Sequence, residues 1–176
     1  MSKLLVFAES REGTLRNVSF EAVAAAKKID ADAEVVVGVI FGAGNFKEQG
    51  DEIIRYGADR AITVQHENLE NYTSEAYGQA AMADIQEESP DGIVMGHTSI
   101  GKDLTPKLAP KLDSGLISDA ADINYDGDNV TFIRPIYSGK AFEKKVITEG
   151  LTFVTIRPNN IKPLDRDESR SGEVAA

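Results

Sequence analysis

The densest run of chemistry-bearing residues is GHTSIGKD, Gly96 to Asp103, which follows an apolar, strand-like run and leads into a leucine-spaced helix. Gly96 and Gly101 permit close backbone approach, while Thr98, Ser99 and the N–H groups that follow are suited to an anion. Helix entry near Asp103, with that residue as N-cap, adds the positive end of a dipole. The stretch also departs from a Walker phosphate loop. Gly96 and Gly101 are five apart and Lys102 follows, but Asp103 stands where a hydroxyl would hold magnesium, so its charge repels phosphate. Two readings remain open: a nucleotide-like loop of Gly96, Thr98, Ser99, Gly101 and Asp103, or a turn in which the same groups only hold a shape.

No catalytic set assembles around it. His97 is the better placed of two histidines, but a histidine beside a strand end is more often structural. A hydrolase or ligase using Ser99 and Lys102 lacks a visible base and orienting group. Asp119 and Asp122 suit turn and cap roles better than a carboxylate pair. Arg134-Pro135 and Arg157-Pro158 repeat an Arg-Pro pair near the end of the chain, and Tyr137 begins a turn between them. These three residues, Arg134, Tyr137 and Arg157, are candidates for contact with a partner protein, against the plainer reading of solvated strand ends.

Composition narrows the classes further. The chain carries 29 acidic and 19 basic residues and a net charge of −10, with no basic block. Such a surface repels nucleic acid and anionic lipid, so neither is expected as a partner. Cysteine is absent, which removes disulfides, thiolate catalysis and cysteine-ligated metals; no metal site is expected. The apolar run near the N-terminus is too short for a signal peptide or a membrane span, so the expected location is the cytoplasm, or the mitochondrial matrix in a eukaryote.

The elements that position these residues follow a repeating pattern. Leu4 to Ala8, Glu34 to Gly42, Ala61 to Gln65 and Gly92 to Gly96 read as buried strands. Between them, Leu15, Val18, Ala22, Ala25 and Ile29 mark one helix face, with Thr14 as its N-cap. Phe46, Gly50 and Ile53 mark a second, closed by Gly57, and Tyr77, Ala81 and Ile85 a third. Alternation of this kind implies an α/β fold with an open, mostly parallel, Rossmann-like sheet in the order 3-2-1-4 and a further strand beside the fourth. The loop after the first strand, AESREGT, then meets GHTSIGKD at the strand ends. Pro106 and Pro110 predict a short or kinked helix after the loop. Beyond Gly115 the pattern becomes β-rich and partly antiparallel, with a hairpin at Asp126-Gly127 and strands at Val130–Ile136, Lys144–Thr148 and Phe153–Ile156. Residues 1–160 make one domain, and the charged, aperiodic residues 161–176 read as a linker or frayed tail.

At the level of whole segments the chain resembles a known family. LLVFAE, YGADRAITV, the stretch from Gly96 to Ile123, FIRPIYSGKA and VTIRP together are similar to the N-terminal domain of the electron transfer flavoprotein alpha subunit, from about Lys3 to Pro158. The resemblance implies an adenine-nucleotide alpha-hydrolase-like fold and a heterodimer with a beta subunit. Such a complex passes electrons from acyl-CoA and other dehydrogenases to an acceptor oxidoreductase. In that family FAD is held mainly by a C-terminal domain, which this chain is expected to lack, so neither FAD nor catalysis is expected of it. The family also implies that the nucleotide-like loop keeps its architecture without carrying nucleotide. A stand-alone nucleotide-binding domain of universal-stress type is the alternative.

Overall fold

Leu4 and Val6 join one hydrophobic cluster, and Leu5 and Phe7 join another. A first strand buried on both faces must lie inside a sheet covered on both sides. The computed structural model describes residues 3–11, 14–41, 46–64, 66–112, 115–125, 130–136, 141–146 and 151–175. In chain order these form β1 (Lys3–Phe7), β2 (Ser10–Arg11), β3 (Thr14–Leu15), α1 (Asn17–Ile29), β4 (Glu34–Phe41), α2 (Phe46–Arg55), β5 (Arg60–Val64), α3 (Ser74–Glu88) and β6 (Gly92–Gly96). There follow α4 (Ser99–Leu108), β7 (Leu116–Ala120), β8 (Asp122–Tyr125), β9 (Val130–Ile136), β10 (Ala141–Val146), β11 (Thr152–Ile156) and β12 (Val174–Ala175).

The main sheet runs β12-β5-β4-β1-β6-β11-β7, with every pairing parallel. Its middle is the expected 3-2-1-4 order, and β11 is the further strand beside the fourth. Val18, Ala22 and Val23 of α1 and Ile53 and Ile54 of α2 cover one face, together with Ile123 and Phe132 of a small antiparallel sheet, β10-β9-β8. Tyr77, Ala81 and Ile85 of α3 and Leu104 and Leu108 of α4 cover the other. The β-rich end therefore splits: β7 and β11 extend the parallel sheet, while β8 to β10 form their own layer.

Several local expectations change. Thr14 does not cap α1; it lies in the β2–β3 ribbon, and the helix starts three residues later with Arg16 at its N-cap position. The Arg16 N–H donates to the Glu9 carbonyl (2.8 Å), which fixes where the ribbon ends and the helix begins. Asp103 is not an N-cap. Thr98 takes that place, and α4 is already in its second turn at Asp103. A hydroxyl directly before the helix satisfies its free N–H groups sooner than an acid five residues on. With the start moved back, Pro106 lies inside α4 rather than in its first turn, and the helix is short, passing into a 3₁₀ turn at Pro110–Leu112. Gly57 closes α2 as expected, at φ 124°, a backbone region that side chains disfavour. Asp126-Gly127 lies outside the described residues, but β8 and β9 on either side of it pair antiparallel.

Residues 161–175 run back across the sheet. The Asp167 N–H donates to the Arg55 carbonyl (2.9 Å), and the Arg170 guanidinium donates to the carbonyls of Ile54 (2.9 Å), Gly57 (3.2 Å) and Ala58 (3.0 Å). β12 then pairs with β5 at the sheet edge. Among the described residues no helix is long and apolar enough to cross a membrane.

Candidate functional site

The loops after β1 and β6 do meet at the carboxyl ends of the strands, through Glu9 and Thr98. The Thr98 hydroxyl donates to Glu9 Oε1, and its oxygen accepts the Gly101 N–H (3.3 Å). Arg16 Nη1 holds the other carboxylate oxygen at 3.1 Å. The Glu9 main chain is fixed as well, its N–H donating to Ser19 Oγ (2.9 Å) and its carbonyl accepting from the same hydroxyl (3.1 Å). Glu9 and Thr98 are both buried. An acid of the chain itself thus takes up the side-chain donor at the N-terminus of α4.

The glycines here serve close packing. A Cβ on Gly101 would lie 1.9 Å from the Gly96 carbonyl oxygen, and one on Gly96 would meet Val18 at 2.6 Å. Contacts that short are forbidden against backbone. Phe7, Glu9, Tyr77, Met95 and Leu104 enclose a cavity of about 20 Å³ beneath the loop. That is room for about one water, whereas ligand pockets span roughly 300–1,000 Å³. Ser99 opens α4, exposed and without a side-chain hydrogen bond among the described residues. Asp103 is exposed and held by the Tyr72 hydroxyl (2.6 Å) and Lys107 Nζ (2.9 Å), which keep its pKa below the usual carboxylate range. It ties α4 to the segment just before α3 through Tyr72.

A second group lies at the ends of β6, β11 and β7. The Thr155 hydroxyl, fully buried, accepts the Asp119 N–H (2.9 Å) and stands 3.0 Å from His97 Nδ1. Burial lowers the His97 pKa; Asp119 opposes that shift, while Lys102, Arg157 and Arg134 reinforce it. Asp119, at φ 64°, receives both Nε (3.0 Å) and Nη2 (2.5 Å) of Arg157. Burial works against its ionisation, but the Arg157 hydrogen bonds and the neighbouring positive charges outweigh it and hold the carboxyl below its ordinary range. Behind this group, Glu21 of α1 is buried and accepts the Asn159 N–H (3.0 Å) and Asn17 Nδ2 (3.2 Å), with burial raising its pKa.

Of the candidates read from the sequence, Gly96, Thr98 and Gly101 come together, and Arg134 and Arg157 lie near His97; Ser99 follows Thr98 with its side chain exposed, Asp103 turns to Tyr72 and Lys107, and Tyr137 lies outside the described residues. Among the described residues no hydrogen bond joins the side chains of Ser99, Lys102 and His97, so they do not form a nucleophile and base; His97 Nδ1 pairs with Thr155 instead. Glu9, Glu21 and Thr155 were not singled out. Only for Glu9 was there a signal, an acid directly after the first strand. Among the described residues no grouping of three acidic or histidine side chains is arranged to hold a metal.

With this geometry in place, comparison with known proteins is specific. A family model described as the electron transfer flavoprotein domain matches residues 4–176. Electron transfer flavoprotein subunit alpha of Bacillus subtilis (strain 168) is 49% identical over 172 residues, covering 98% of this chain and 52% of the relative. The subunit of the same name from Syntrophomonas wolfei is 35% identical over 158 residues, covering 90% of this chain and 49% of the relative. The acryloyl-CoA reductase electron transfer subunit beta of Anaerotignum propionicum is 37% identical over 122 residues, or 69% of this chain and 33% of the relative. The chain spans about half the length of the alpha subunits it matches.

Proposed function

The chain belongs to the electron transfer flavoprotein family, and from that premise we propose that it is a scaffold and interaction domain of an alpha subunit, with no chemistry of its own. The universal-stress alternative gives way to this family. The full complex passes electrons from acyl-CoA and other dehydrogenases to an acceptor oxidoreductase in the cytoplasm, with FAD held by residues outside this chain. The partner is a beta subunit, met by the segment from Ala121 to Pro158 with Arg134 and Arg157; Tyr137 belongs to the same proposal.

One observation carries the reading: the Glu9 carboxylate bonded to Thr98 where a nucleotide-binding relative of this fold needs free donors. A flavin site must hold a pyrophosphate, orient a ring and tune its electronics. The mouth of this sheet offers a carboxylate to the first task and a cavity of about 20 Å³ to the second. The test is direct. FAD mixed with the purified chain should keep its fluorescence and separate on gel filtration. Stoichiometric flavin absorbance travelling with the protein would overturn the reading.

A further inference from the structure

Sulfur on this chain is confined to methionine: there are three, and no cysteine. Met1 lies outside the described residues, and the two others stand in opposite environments. Met95, on β6, is 3% exposed and borders the cavity of about 20 Å³ beneath the loop, which has room for about one water. Met82, on α3, is partly buried against the cluster that holds Leu104 and Leu108. It borders an open groove of about 810 Å³ between α3 and α4. A helical side chain leans over the turn before its own, and at that turn stands Gly78, which has no side chain to cover a thioether.

An accessible thioether reacts with hydrogen peroxide. A sulfur lone pair takes one oxygen, the O–O bond breaks, and the other oxygen leaves with both hydrogens as water. Sulfur is oxidised by two electrons and the peroxide reduced by two, so no further reactant is needed. The product is a sulfoxide, whose oxygen is a polar acceptor on a side chain that was apolar. The groove holds donors for that oxygen. Gln79 and Gln86 stand three residues before Met82 and four after it, on the same side of α3, and Lys111 lines the opposite wall. All three are exposed, and none makes a side-chain hydrogen bond or ion pair among the described residues. We propose that Met82 is a reversible peroxide-oxidation site, the first of these two methionines to be converted in the folded domain, and that the groove accommodates its sulfoxide. Oxidation there turns one wall of the groove from apolar to polar while the core around Met95 stays intact.

The test is a time course of the purified chain in hydrogen peroxide, read by mass spectrometry of its peptides, which separates Met82 and Met95 from Met1. In the folded chain Met82 should gain one oxygen about tenfold faster than Met95 or more, and in urea the two rates should converge. The chain oxidised at Met82 should melt within about 2 °C of the untreated chain, as changes at a surface position do. A methionine sulfoxide reductase should remove the added oxygen from the folded chain. Met82→Leu keeps the packing volume and should leave Met95 as protected as in the parent. Equal rates for the two methionines in the folded chain, or a Met82 that reacts only in urea, would overturn the site. A chain that unfolds once Met82 alone is oxidised would overturn the accommodation of the sulfoxide.

Discussion

Glu9 and Thr98 lie 89 positions apart in sequence and share a buried hydrogen bond at the carboxyl ends of adjacent parallel strands. Because Arg16 neutralises the other carboxylate oxygen, the acid is at home there without a ligand. AMP and ATP should therefore show no micromolar binding by calorimetry. Glu9→Gln removes half of an ion pair and keeps the side-chain shape, and should cost about 1–3 kcal/mol in urea unfolding. A variant as stable as the parent would mean that Thr98 and Arg16 do not depend on the charge.

Glycine substitutions separate packing from flexibility. Gly101→Ala places a methyl against the Gly96 carbonyl oxygen and should cost more than about 3 kcal/mol or prevent folding, as backbone clashes in tight cores do. Gly78, in α3, would meet only Leu104 at 3.9 Å, so Gly78→Ala should stabilise by about 0.5–1 kcal/mol through helix propensity. Equal effects in thermal melts of the two variants would contradict the packing described.

Asp84 gives a pH dependence. It is buried on α3, one carboxylate oxygen has no hydrogen bond, and burial with Glu87 and Glu88 nearby raises its pKa from 3.8 to about 6. The native state thus binds its proton more tightly than the unfolded state. Ionisation costs nothing below about pH 4, and the cost grows until the native group itself titrates near pH 6, reaching about 3 kcal/mol above that. Asp84→Asn should therefore stabilise by about 1–2 kcal/mol at pH 8 and lose that advantage by pH 4, since the amide brings polar needs of its own. A pH-independent difference in unfolding free energy would remove Asp84 from this role.

Arg170 closes the C-terminus of α2 with three carbonyl contacts. Arg170→Ala should free residues 165–175, seen as faster hydrogen exchange at Val174 and at Ala61, whose N–H donates to the Glu173 carbonyl (2.9 Å). Unchanged exchange at Ala61 would show that β12 holds without the clasp.

The layered sheet and its strand order were legible because apolar runs alternating with 3.6-period faces leave few topologies open. Gly92–Gly96 and Val130–Ile136 lie where the pattern places them. The errors sit where two local signals competed. Thr14 and Thr98 are both good caps, and only the pairing of the β2–β3 ribbon and the Glu9–Arg16 bond decides that one caps and the other does not. Asp103 looked like a loop acid because its partners, Tyr72 at a distance of 31 positions and Lys107 one turn on, become visible only once α3 and α4 are side by side. The Thr155–His97–Asp119 chain needed three strands in register. Composition was no guide to residues 161–175, since charge alone does not reveal three carbonyls waiting at a helix end.

That last segment has a consequence for behaviour at high concentration. A sheet edge with a free row of N–H and C=O groups invites pairing with another molecule, and β5, with Ala61 and Ile62 along it, would be such an edge. Two residues of β12 occupy it, held there through the Arg170 contacts at the end of α2. The segment that looked least structured by composition therefore stands guard against self-assembly, and a chain that loses its hold there exposes a sticky seam rather than merely a loose end.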